Sequence, residues 1–515
     1  MAVAVRRDPA VTQRPAGEPS VEREPAAKER QRALLVLVCL AQLMVILDVS
    51  IVNVALPSIR DGLRFSTTGL QWVVNAYTLT FAGFLLLGGR AADLLGRKRV
   101  FLAGTALFAL ASLACALADS RSLLIGARAL QGIGGAVISP ASLAIIATSF
   151  AEGRERSRAL GVWGAMGGLG GSLGVLLGGV LTQAFGWPAI FLVNVPIGLA
   201  VIAFSRGLIP AGRASSASRH FDASGALLVT GGLTALVYGI VRTDTLGWGA
   251  TGVLAPLALG VALMGAFVFV EGRIAREPLM PLRVFRMKRL RAANLIMFLL
   301  YAAVFTIWFF LSLYLQQVLR YDPLQTGLRF LPMTLAIMLA STLAPRLVAA
   351  WGERRVLSAG MLCATVGLYL LTGVRGGGSY TADVLPGGLL AAIGLGLSLV
   401  PATIAAVAGV PAKESGLASG MLNTSRLVGG ALGLAVLSTI AASRTRADLL
   451  VGASGPSALS GGFRLAFAVA AGFSLLGALA AAVLLRPAGP QGAEPAERDA
   501  RAGARAHSAD AGAPV

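Results

Sequence analysis

The sequence predicts an all-α polytopic membrane protein of fourteen transmembrane helices, arranged as two six-helix bundles plus an inserted helix pair. The composition, the spacing of apolar runs and an internal repeat carry that prediction. Of 515 residues, 56% are hydrophobic, 13% are charged and 64 are glycine, a balance foreign to soluble domains and opposite to that of disordered chains. The formal net charge of +20 does not mark a nucleic-acid binder, because the cations gather on no polar domain. They punctuate apolar runs of roughly 20 residues, each long enough to cross the ~30 Å hydrocarbon layer as a helix.

In chain order, residues 1–32 are rich in Pro, Ala, Glu and Arg without apolar periodicity, and 487–515 repeat that composition, so both tails read as disordered. No signal peptide is expected, since the first apolar run follows a long polar lead without a small-residue cleavage site. The N-terminal bundle, 33–208, holds runs at 33–58, 70–90, 100–118, 122–148, 159–183 and 189–208. A linker at 209–222 leads to the inserted pair, 223–242 and 250–271, which is read as structural or lipid-facing and without an embedded acid. After a second linker, 272–291, the C-terminal bundle 292–486 holds runs at 292–319, 326–348, 355–374, 384–410, 416–441 and 463–485. No soluble domain fits between them.

The loops divide 21 Lys and Arg on one side against nine on the other, which by the positive-inside rule places both termini and both linkers in the cytoplasm and the protein in the cell membrane. At an offset of about 256, Arg90, Gly96, Arg99 and Val100 match Arg346, Gly352, Arg355 and Val356, and GGSLG at 170–174 matches GGALG at 429–433. A six-helix repeat flanking an insert predicts a transporter that binds its substrate between the repeats.

Five stretches carry a resemblance: LDVSIVNVALP (47–57), GGRAADLLGRKRV (88–100), RALQGIGGAVISP (128–140), FGWPAIFLVNVPIG (185–198) and GLASGMLNTSRLVGGALG (416–433). Together they resemble the fourteen-helix drug:proton antiporter branch of the major facilitator superfamily, the multidrug efflux exporters, over essentially all of 33–486. The resemblance implies the major facilitator fold, alternating access, no enzymatic activity, and export of lipophilic compounds, cationic ones included, in exchange for protons. An exporter of an endogenous lipid or natural product would use the same apolar cavity, and nutrient uptake is a further alternative. A membrane-embedded sensor or enzyme would need a soluble domain or a His, Cys or metal cluster, and the sequence offers neither.

Asp48 lies near the middle of the first helix, where a charged carboxylate costs ~2.5 to 3.5 kcal/mol on insertion scales and must face a cavity or a partner. It could make a structural hydrogen bond, or bind a proton or cationic substrate, since leaving water favours the neutral acid; the resemblance favours the second. Arg128 enters the fourth helix with Gln131 on the same face at i+3. Arginine keeps its proton, so it either clamps helices together or biases a nearby acid electrostatically; the resemblance links it to proton coupling. Gly89, Arg90, Asp93, Gly96, Arg97 and Lys98 combine turn glycines with an acid among cations, the pattern of a cytoplasmic gate. Gly170, Gly171, Gly174, Gly178 and Gly179 give the fifth helix small-xxx-small spacings for close helix packing. By resemblance they belong to an exporter motif in which Val175 stands where a proline is usual.

In the second half the position matching Asp48 falls near Phe305 and Thr306, and that matching Arg128 near Leu385, so coupling chemistry is expected in the first half alone. Tyr301, Phe305 and Trp308 share a face of the ninth helix and, with Asn53 and Tyr77, are candidates to line a substrate cavity, unless they are core or lipid-facing. Arg426, with Asn423 and Thr424, is a further embedded polar group, read as structural. Cys39, Cys115 and Cys363 lie singly in apolar runs and the histidines are only His220 and His507, so neither a metal site nor a cofactor is expected. The partners expected are a small substrate, protons and the bilayer, with the monomer as the working unit and a proton gradient as the energy source.

Overall fold

In hydrocarbon every backbone N–H and C=O must be satisfied within the segment, so apolar runs of this length fold as helices. The computed structural model describes residues 23–151, 153–209, 222–275, 287–408, 410 and 415–485, and within them fourteen helices are long and apolar enough to span a membrane. The first bundle comprises α1 (Arg23–Leu63), α2 (Trp72–Leu95), α3 (Arg97–Ala116), α4 (Arg121–Ser149), α5 (Arg154–Phe185) and α6 (Asn194–Leu208). The insert is α7 (Ala223–Leu246) and α8 (Thr251–Phe269). The second bundle comprises α9 (Lys288–Leu313), α10 (Pro323–Trp351), α11 (Glu353–Leu371), α12 (Leu385–Val407), α13 (Ser415–Leu450) and α14 (Gly455–Leu484).

The repeat in the sequence is a repeat in space. In the first bundle α5 and α6 pack on α1, and α4 on α2 and α3; in the second, α13 and α14 pack on α9, and α12 on α10 and α11. The bundles meet along two seams, α5 with α10 and α2 with α13, which exchange under the repeat. Gly96 and Gly352, at positive φ of 93° and 80°, make the tight turns into α3 and α11; glycine alone adopts that geometry without strain.

Two features depart from the sequence reading. Helix α1 begins at Arg23, inside the stretch expected to be disordered. Its Ala-, Glu-, Lys- and Arg-rich lead is made of good helix formers that extend a helix already nucleated in the membrane, and Arg30 Nη2 donates to Gly207 O at 3.0 Å. The insert does carry a buried acid, Glu271, and a second, Asp222, borders it. Chain from α8 continues into an i→i+5 turn, Val270–Ile274, in which Glu271 is buried, while Asp222 caps α7 by accepting from Gly225 N at 2.8 Å. The insert is also more than a lipid-facing addition: Leu233, Val237 and Val241 of α7 cluster with Leu79 of α2 and with Ala431 and Ala435 of α13, covering one seam.

Candidate functional site

Five helices of the first bundle, α1 to α4 and α6, converge on one buried network. Asp48 of α1, Arg128 and Gln131 of α4 and Asn194 of α6 are each at most 1% exposed. Arg128 Nη1 donates to Asp48 Oδ2 at 2.5 Å, and Asp48 Oδ1 accepts from Gln131 Nε2 at 2.7 Å and from Asn194 Nδ2 at 2.9 Å. The Gln131 amide is oriented by its surroundings: its carbonyl oxygen accepts from Arg128 Nη1 at 2.7 Å while its nitrogen serves Asp48 and Ser112 Oγ, which matches acceptor to cation and donor to anion. Arg128 Nε donates to Val73 O of α2 at 2.8 Å. A buried ion pair repays its desolvation only with such supporting hydrogen bonds, and removing one member strands the other at a cost of about 3–5 kcal/mol.

Aromatic rings enclose the pair. The Arg128 guanidinium lies 4.4 Å from the Tyr77 ring centroid and 5.6 Å from that of Phe191. Tyr77 also stacks on Phe81 at 5.7 Å. On the far side of Tyr77 lies a cavity of about 630 Å³ between the bundles. Asn53, Tyr77, Tyr301, Phe305 and Trp308 all line it, whereas Asp48, Arg128, Gln131 and Asn194 do not. Asp48 therefore does not meet the cavity contents directly, contrary to the sequence picture of a carboxylate that could touch a cationic substrate. Tyr77 touches both the pair and the cavity, with its ring on the Arg128 guanidinium and its side chain in the cavity lining.

The glycines of α5 divide by the neighbour each faces. A Cβ on Gly170, Gly174 or Gly178 would run into α1, at Ile46, at Ser50 with Leu47 O, and at Ile51 O; one on Gly179 would run into the Pro323 and Leu324 backbone of α10. Ser50 Oγ donates to Gly170 O at 2.9 Å, joining α1 to α5. Gly171 packs on nothing and lines the cavity instead. With Val175 in place of proline, α5 runs unbroken, and the Val175 carbonyl lies against Gly327 of α10, an approach that only a residue without Cβ permits. Near the other end of α5, exposed Gly164 and Met338 of α10 line the cavity, so the seam opens there.

Around the α2–α3 turn, Gly96 supplies the positive φ and Lys98 Nζ donates to Arg206 O at the end of α6, at 2.7 Å. The close approach falls at Gly88, against the Ala136 and Val137 backbone, rather than at Gly89, which has only Pro140 Cβ at 3.5 Å. Arg90 and Arg97 are both engaged; the Asp93 side chain lies outside the described residues. Asn194 and Ser112 are members of the network that sequence reasoning missed. The signal for Asn194 was there, a lone amide inside FGWPAIFLVNVPIG, but nothing in the one-dimensional pattern aims it at Asp48.

The family model described as Major Facilitator Superfamily matches residues 38–434 and 293–511. The chain is 43% identical over 413 residues to a cephamycin export protein of Amycolatopsis lactamdurans, covering 80% of this chain and 85% of that protein. It is 40% identical over 458 residues to a puromycin resistance protein of Streptomyces alboniger, covering 88% and 90%. Among solved structures, a POT family transporter shares the fold with a TM-score of 0.64 at 16% identity, covering 88% of this chain and 97% of that one.

Proposed function

The chain belongs to the major facilitator superfamily, and from that premise we propose that it exports lipophilic small molecules of the antibiotic class across the cell membrane in exchange for protons. It is a multi-pass transporter and not an enzyme. The observation that carries the coupled reading is the buried Asp48–Arg128 pair, whose guanidinium rests on Tyr77, a residue of the wall of a cavity of substrate size. Protonation of Asp48 would remove one charge of the pair and free Arg128 to repartition between Gln131 Oε1, Val73 O and the Tyr77 face. That change falls on α1 and α4 and, through Tyr77, on the cavity wall. It gives proton and substrate opposite preferences for the two arrangements of the bundles, which is what exchange requires.

In this reading the cavity opens between Gly164 and Met338 to the cytoplasm, with both termini on the same side, and closes where α5 meets Pro323 and Leu324. The relatives named for export of cephamycin and resistance to puromycin support an antibiotic-like substrate. The test is accumulation of a fluorescent substrate in everted membrane vesicles energised by an acid interior. Wild type accumulates it and Asp48→Asn, present at equal level, does not; full accumulation by Asp48→Asn would overturn proton coupling through this residue. Movement only in the reverse direction would identify an uptake system.

A further inference from the structure

Among the described residues the cavity holds one formal charge, Arg426 of α13. Among the described residues it has neither ion-pair nor hydrogen-bond partner: its buried Nε is unsatisfied, and its sole contact of that kind is the Tyr301 ring, 5.2 Å from the guanidinium carbon. The contrast with Arg128, which is saturated by a carboxylate, an amide and a carbonyl, is chemical. Arg426 is half-buried with its Nε enclosed and unsatisfied, so a guanidinium without a counter-charge faces the cavity and leaves its donors to whatever enters. Among the described residues no Asp or Glu lines the cavity, and the Asp48 carboxylate is fully buried and engaged by Arg128. An organic cation would thus find repulsion and no acid to meet.

We infer that the exported compound carries an anionic head, a carboxylate or a phosphate monoester or diester, on a lipophilic body, and that Arg426 reads that head. The guanidinium fork matches such an oxyanion in bidentate geometry, and Asn423, one turn earlier on α13, lines the same wall with a neutral amide. Tyr301, Phe305 and Trp308 of α9 offer the lipophilic body an aromatic face beside Arg426. This inference rests on the reading of the cavity as the export site and narrows its substrate class to acids.

The purified full-length protein tests it through quenching of Trp308 by three probes of one shape: pyrenebutyric acid, its primary amide and the matching pyrenylbutyl trimethylammonium, with Trp308→Phe to identify the signal. The acid is expected to bind at least tenfold tighter than the other two, about 1.4 kcal/mol. Arg426→Gln is expected to bring the acid down to the affinity of the amide and to leave the amide unchanged, and Arg426→Lys to retain part of the preference. Equal binding of all three probes by wild type would leave the export site standing and overturn the anion assignment. So would a preference for acid that survives Arg426→Gln. Binding of none would overturn the cavity as export site, and the assignment with it. Should Arg426→Gln fail to fold, the wild-type ranking still decides. Displacement of the acid by phosphatidylglycerol and not phosphatidylcholine assigns the anion to lipid headgroups; lack of displacement assigns it to free acids.

Discussion

At residue 64 and again at residue 320, an arginine turns the chain through a left-handed conformation, with φ of 55° and 60°. Two residues later Ser66 and Asp322 each accept a backbone N–H three positions on. Gly174 and Gly433 then let α5 and α13 settle against α1 and α9. At such points the two bundles are copies. Inside them they are not: where the first buries Asp48, Arg128, Gln131 and Asn194, the second has uncharged residues near the matching places, Phe305 and Thr306 for Asp48 and Leu385 for Arg128. Around them Phe310 packs on Phe463 and Phe467 of α14, at centroid distances of 5.7 and 6.0 Å. The turns and helix contacts that hold each bundle together are thus present in both. The buried ion pair occurs in the first bundle, and the second lines the cavity with the Tyr301, Phe305 and Trp308 rings and with Arg426.

The sharpest way to break the comparison is to give the first bundle the residues of the second. Arg128→Leu or Asp48→Thr alone leaves one buried charge without its partner and is expected to cost about 3–5 kcal/mol. The double variant removes both and should recover most of that loss, as replaced buried pairs often do, while proton-driven export stays abolished. Thermal unfolding in detergent together with vesicle transport separates the outcomes; an Arg128→Leu protein as stable as wild type would mean that the pair is not held as the structure has it.

A smaller effect sharpens the part the bundles share. Leucine at Gly174 or Gly433 must displace the backbone or side chains of α1 or α9, and each is expected to destabilise by about 1–3 kcal/mol through overpacking. Alanine at Gly171 meets open space and should be neutral or favourable by up to about 1 kcal/mol, since alanine is the better helix former. A loss of stability at Gly171→Ala matching that at Gly174→Leu would show that α5 packs alike along its whole length, and that the cavity is filled.

How much of this the sequence disclosed follows from the range of each interaction. The fourteen helices were legible because hydropathy is a local property and hydrocarbon permits little else. Asp48, Arg128 and Gln131 were legible as oddities, polar groups in apolar runs, but their meeting joins positions 80 residues apart in the chain and has no local signature. Asn194 was missed for the same reason. Tyr77 and Arg426 show the harder limit. The first was visible as a cavity candidate but not as the ring under Arg128, and the second was read as structural because a sequence cannot show which partners a cation has. The buried Glu271 was overlooked because it closes an apolar run, where a change of one residue in helical register decides whether a side chain points in or out.

The smallest effect lies at the paired turns. A non-glycine residue in the left-handed region costs about 1–2 kcal/mol, and glycine gives back about 0.5–1 kcal/mol of that through the entropy it loses on folding. Arg64 and Arg320 are both exposed, so their side chains contribute little to packing. Arg64→Gly and Arg320→Gly are each expected to stabilise by about 0.5–1 kcal/mol, by equal amounts, and additively, because they lie in separate bundles. Equal and additive shifts in the unfolding midpoint would mean that the turns are the same object used twice. If one site gains and the other loses, the side chain at the losing site is held by something beyond its turn. The copied skeleton would then carry a difference between the bundles even where their backbones agree.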